Sequence, residues 1–164
     1  MTKLHINDAN ILIDIIHLDL VKEFMALEFE LYTTNFVFAE LDSKQQAKLK
    51  SKKLIKINAT EEEMRFIFEL MEQHGGLSFE DCSMWYFAKE MNGILVTGDG
   101  SLRAKAKLSG VEVRGVIYIL EAIKKQAILP VNDCIEKLER LKVLNKRLPM
   151  AEIDKRIAVW GNEI

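Results

Sequence analysis

The sequence predicts an α/β fold, a three-layer α/β/α sandwich on a parallel sheet of about five strands with extra helices at the C-terminal end. Short apolar runs of strand length alternate with amphipathic helical stretches, which is the pattern of parallel strands joined by helical crossovers. The 164 residues, 49% hydrophobic, suit one core. Residues 1–164 are therefore expected to form a single domain, with a core over about 4–127 and a helical extension over about 131–160.

Leu4 to Ile6 reads as the first strand, and Asn7-Asp8-Ala9-Asn10 as a polar exit that caps a helix beginning at the apolar run Ile11, Leu12, Ile13. Asp8 has two readings, helix cap or one member of a site. Asp19 is expected to cap a short helix from Leu20 to Leu27, with a second strand at Phe29 to Thr33. Thr34 or Asn35 then caps a helix whose apolar residues are Phe36, Val37, Phe38 and Leu41. This spacing puts Glu40 on the helix, bordering its buried face.

A basic stretch follows, with Lys44, Lys48, Lys50, Lys52, Lys53 and Lys56. It suits either a solvated helix face or a track for a phosphate backbone. Leu54, Ile55 and Ile57 form a brief strand, and Thr60 with Glu63 is a capping box for a helix ending near His74-Gly75-Gly76. Ser78 with Asp81 repeats that device, so a helix begins at Phe79 with Asp81 in its first turn. Met84, Trp85, Phe87, Ala88 and Met91 recur at core-packing spacing.

Asn92-Gly93 ends that helix, and Ile94, Leu95 and Val96 form a buried strand with Thr97-Gly98-Asp99 as its exit. Ser101 to Ser109 is a short basic helix carrying Arg103, Lys105 and Lys107, followed by a strand at Val111 to Val113. Helices are expected over Val116 to Ala127, Asn132 to about Asn145 and Ala151 to Trp160, with Pro130 and Pro149 at the junctions.

Composition narrows the function classes. Cys82 and Cys134 lack CxxC spacing and three scattered histidines form no zinc pattern, so both thiols read as reduced and structural. No apolar run is long enough to span a membrane and MTKLHIND is not a signal peptide, which predicts a cytoplasmic protein with no membrane partner. A formal net charge of −2 requires any nucleic-acid binding to use a local patch.

In a parallel sheet, strand exits and the starts of the following helices share one edge. Asp8, Asp81 and Asp99 are predicted at that edge, and Glu40 lies near it. Several carboxylates in one cleft repel unless protonated or bridged by a cation, and hard oxygen donors select Mg²⁺ or Mn²⁺. Such an ion activates water and stabilises a leaving oxygen, the needs of phosphodiester hydrolysis.

From Asp8-Ala9-Asn10 through Glu40 and Ser78-Phe79-Glu80-Asp81 to Thr97-Gly98-Asp99, the sequence resembles the PIN-domain family, over roughly Leu4 to Ala127. The resemblance implies a Mg²⁺- or Mn²⁺-dependent ribonuclease with Asp8, Glu40, Asp81 and Asp99 as catalytic metal ligands, supported by Asn10 and Thr97 through hydrogen bonds. It implies an RNA substrate and a homodimer, and often the toxin half of a toxin–antitoxin pair with an antitoxin protein as partner. Lys44, Lys48, Lys52, Lys53, Arg103, Lys105 and Lys107 are the expected phosphate-binding residues.

Two other functions fit parts of the pattern. A noncatalytic RNA- or protein-binding module would keep the fold and use the acids as helix caps. A haloacid-dehalogenase-like phosphohydrolase also uses an aspartate after its first strand, but Asn10 stands where its second aspartate belongs.

Overall fold

The computed structural model describes residues 2–164. Five strands, β1 (Lys3–Asn7), β2 (Phe29–Thr34), β3 (Leu54–Ile57), β4 (Ile94–Val96) and β5 (Glu112–Arg114), form one sheet in the order β3-β2-β1-β4-β5. Every neighbouring pair is parallel, so all strand exits lie on one edge, as expected. The centre of the sheet is dry: Ile6, Leu31, Leu95 and Val96 have no exposed surface, and β4 is apolar at all three positions.

Ten helices surround it among the described residues: α1 (Ala9–His17), α2 (Val21–Met25), α3 (Asn35–Phe38), α4 (Ser43–Lys48), α5 (Glu61–Gln73), α6 (Phe79–Glu90), α7 (Gly100–Leu108), α8 (Val116–Lys125), α9 (Val131–Leu144) and α10 (Met150–Gly161). One layer holds α3, α5, α6 and α7; α1, α2 and α8 make the other, with α9 packed on α1 and α8 and α10 packed on α9. The C-terminal helices thus extend the core. Cys134, Leu138, Leu141 and Ile153 are fully buried.

Local chemistry sets the helix ends. Thr60 with Glu63 and Ser78 with Asp81 both close as capping boxes. At the other end, α1, α6, α7 and α8 share one device, in which the residue after the cap bonds back three residues and the next bonds back five. The residues in the left-handed position are Asp19, Asn92, Gly110 and Ala127. Gly93 follows Asn92 where a Cβ would come within 2.5 Å of Leu4 Cδ2 and 3.1 Å of the Leu4 carbonyl oxygen, so only glycine lets the chain turn into β4 unhindered.

Two local expectations are corrected. Asp19 does not cap α2. It ends α1 at φ 56°, its N–H bonded to the Ile16 carbonyl and that of Leu20 to Ile15, because Asp tolerates this conformation and apolar Leu20 can fold back onto the core. Glu40 is not on a helix. α3 stops at Phe38 because Asp42 opens α4 with its own capping box to Gln45, leaving Glu40 exposed on the turn between them.

Candidate functional site

The strand order reverses direction between β1 and β4, which are adjacent although most of the chain's first half separates them. Open α/β sheets bind ligands outside the strand exits at such a switch point. Asp8 leaves β1 there, and Thr97 and Asp99 leave β4.

Asp8 occupies the N-cap position of α1 yet makes no side-chain capping bond. Its side chain instead turns across the seam, where Oδ2 accepts the Thr97 hydroxyl at 2.7 Å. The Asp8 backbone N–H reaches the Val96 carbonyl at 2.9 Å, so main chain and side chain both tie it to β4. Thr97 is fully buried and held from every side: its N–H bonds to the Arg114 carbonyl, its carbonyl accepts Arg103 Nη1 at 2.8 Å, and its Oγ1 accepts the Asp99 N–H at 3.1 Å. Asp99 caps α7, with Oδ1 accepting the Leu102 N–H at 2.8 Å. Asp81 spends Oδ2 on the Ser78 N–H at 3.1 Å. Its Oδ1 and the Oδ2 of Asp99 have no hydrogen-bond partner among the described residues.

These carboxylates sense one another. Burial pushes the Asp8 carboxyl above its ordinary range; the Thr97 hydroxyl and the Ala9 backbone oppose this, and the Asp81 and Asp99 charges reinforce it. Glu40 is also raised, first by partial burial and then by the charges of Asp8, Glu80 and Asp81. Glu80 is an acid that motif reading passed over. Its only sequence signal is its place beside Asp81 in the first turn of α6.

The donor chemistry is that of a hard divalent cation: like-charged oxygens, one of them desolvated, at a common edge. Two buried acceptors near the strand exits, Asn7 Oδ1 and Asn35 Oδ1, also lack a partner. The acids therefore fit a cation by chemistry. By distance they do not form a closed cage, since among the described residues no three His, Cys, Asp or Glu side chains converge to ligating range. Asn10 is exposed and makes no side-chain hydrogen bond among the described residues, whereas Thr97 holds Asp8 directly.

The basic residues separate onto two sides. Lys44 and Lys48 lie on α4, and Lys52 and Lys53 precede edge strand β3. Arg103, Lys105 and Lys107 lie on α7, which packs on β5 at the opposite edge. Lys105 bonds to the Gly75 carbonyl at 2.8 Å, pinning the turn after α5. No helix among the described residues is long and apolar enough to cross a membrane.

Comparison with known proteins adds two findings. A family model described as "DUF3368: PIN domain" matches residues 4–162. Among solved structures, the chain is similar to PAE2754 from Pyrobaculum aerophilum, with a TM-score of 0.55 and 19% identity over 76% of this chain and 99% of that one. No curated protein matches. The structural likeness concerns the fold; the family match covers the C-terminal helices as well.

Proposed function

The chain belongs to the PIN-domain family, a nuclease-type fold, and from that premise we propose that it is a Mg²⁺- or Mn²⁺-dependent endoribonuclease. The observation that carries this reading is Asp8. A helix-capping aspartate would spend its side chain on the first turn, but this one is turned to Thr97, and its carboxyl is raised by burial and then by the charges of Asp81 and Asp99. Keeping a carboxylate in that position works against stability, which is the mark of a site kept for chemistry.

Asp8, Asp81 and Asp99 would hold the cation, with Glu40 on its mobile-length side chain completing the set from the α3–α4 turn. When bound, the ion supplies charge for the scissile phosphate and lowers the pKa of an attacking water. The chain's own work is positioning. Thr97 fixes the Asp8 carboxylate and, through its contact with the Asp99 N–H, the exit of β4. Glu40, exposed on its turn, would reach the site with its side chain rather than from a fixed position.

Purified protein should cleave single-stranded RNA with Mg²⁺ or Mn²⁺, stop in EDTA, and lose cleavage in Asp8→Asn. EDTA-resistant cleavage would overturn the reading. A toxin role, with an antitoxin protein and a second copy of the chain as partners, is the corresponding biological proposal. Growth arrest on expression, relieved by the product of an adjacent reading frame, tests the toxin role, and light scattering tests the dimer.

One observation favours a second reading, a noncatalytic RNA-binding module. Asp81 and Asp99 both serve as helix-terminal acceptors. If that is their whole role, RNA binds without cleavage and Mn²⁺ leaves the melting temperature unchanged.

A further inference from the structure

A cavity of about 950 Å³ opens beside Asp99, between the β5–α8 corner and the turn joining α9 to α10. Its core side is formed by Arg103, Lys107, Arg114 and the Gly115 backbone, and its outer side by the extension, including Lys146 and Arg147. Its acids are largely committed: Glu121 and Glu152 pair with Arg156, and Asp14 accepts a bond from Asn145 at 3.0 Å. Lys107, Lys146, Arg147 and Arg103 have no carboxylate partner among the described residues, and Arg114 pairs only with Glu112 on its own strand.

Two features indicate an anion as the occupant. Arg103 and Arg114 line the same wall of the cavity, and burial, then the Arg114 charge, lowers the pKa of Arg103. Arg103 is also fixed in place, with Nη1 on the Thr97 carbonyl and 3.5 Å from where a Gly115 Cβ would stand. It thus borders both the carboxylate edge and the cavity. A cavity of this size admits a nucleotide, and its continuity with Asp99 fits a polyanion that passes one phosphate at the acids and seats the next among the cations.

We propose that this cavity seats the backbone of single-stranded RNA flanking the cleaved bond, and that Lys146 and Arg147 of the C-terminal extension are RNA-contacting residues. The proposal rests on the ribonuclease reading for its substrate, but it concerns binding and is tested apart from cleavage.

The probe is a fluorescent single-stranded RNA oligonucleotide titrated in EDTA over a salt series. Lys146→Glu with Arg147→Glu should weaken binding at least about tenfold and flatten the log–log salt slope by roughly 1.4, the loss of two phosphate contacts. The neutral pair Lys146→Gln with Arg147→Gln should fall between that variant and wild type. Lys22→Glu with Lys89→Glu, on α2 and α6, makes the same charge change at exposed positions that do not line the cavity and should stay within about twofold of wild type. Both cavity residues are exposed and make no side-chain hydrogen bond among the described residues, so circular dichroism melts should coincide.

An unchanged slope, an equal loss in the Lys22/Lys89 variant, or no RNA binding by wild type would overturn the proposal. So would complete displacement of the RNA by millimolar inorganic phosphate, which would mark a small-anion pocket. Binding that follows this pattern without cleavage in Mn²⁺ would overturn the ribonuclease reading alone.

Discussion

The Thr97 hydroxyl donates to Asp8 Oδ2 at 2.7 Å across the β1–β4 seam while its oxygen accepts the Asp99 N–H. One side chain thereby orients two acids that are far apart in sequence. Thr97→Val keeps the shape but leaves Asp8 without its hydroxyl donor. It should cost about 1–3 kcal/mol, seen as a lower urea midpoint at unchanged slope. Thr97→Ser should recover most of the loss. A Val variant as stable as wild type would mean that the bond contributes nothing to the fold.

Asp8 and Asp81 should respond differently to neutralisation in EDTA. Asp8→Asn removes a buried charge and keeps an oxygen for Thr97, so its melting temperature should equal or exceed that of wild type. Asp81→Asn can still accept from Ser78, and should also melt no lower, because it relieves repulsion with Asp8. Asp81→Ala loses the capping box as well and should melt lower, by roughly 0.5–1 kcal/mol of stability. All three should lose the stabilisation that Mn²⁺ gives wild type. Undiminished Mn²⁺ stabilisation in Asp81→Asn would leave Asp81 as a cap only.

His5 gives the fold an acid-sensitive element away from the site. It is fully buried in β1, stacked on Phe29 with ring centroids 4.0 Å apart and with Nε2 3.1 Å from the Tyr118 hydroxyl. Burial lowers its pKa to about 4 from 6.5. The unfolded chain therefore binds this proton first on acidification. Its contribution is fully present above pH 6.5 and is lost as pH falls from 6.5 towards 4. The raised carboxyls of Asp8 and Asp14 act in the opposite sense, gaining protons in the folded state. His5→Gln should flatten the fall in melting temperature between pH 6.5 and 4; an identical pH profile would exclude His5 as its source.

Among the described residues, Ala127 is the one with a Cβ but no polar side chain at a left-handed helix end, at φ 54°. Gly110 fills the same position after α7 with φ 90°. Ala127→Gly relieves about 1 kcal/mol of backbone strain and forfeits about half of that through a freer unfolded chain. The expected gain is roughly 0.5 kcal/mol by urea denaturation, and a clear loss would show that the Ala127 methyl packs usefully.

Much of this was legible because it is written locally. Three apolar residues closed by Thr97-Gly98-Asp99 leave few alternatives to a buried strand and its exit, and a serine three residues before Asp81 fixes a helix start whatever surrounds it. Glu40 shows where local reading stops: apolar spacing alone extends the helix through Phe38, but the competing cap at Asp42 ends it. Asp19 shows the same limit, since an Asp before an apolar run suits a helix start or a left-handed helix stop equally. The side-chain turn of Asp8 to Thr97 depends on the β1–β4 pairing, and the cavity beside Asp99 depends on where α10 folds back. Neither has a local signature.

The close of α1 has a consequence for how the protein is made. The carbonyls of His17 and Leu18, at the end of that helix, are met by Arg140 and Lys137 from α9, 123 and 119 residues later, and Asp14 is met by Asn145 after 131. A chain emerging from the ribosome N-terminus first displays β1 and α1 long before these partners exist. The helix that follows Asp8, closed locally by Asp19 and Leu20, gains these further partners only from the last third of the polypeptide. The sheet edge that starts at Asp8 would therefore gain these contacts only late in synthesis.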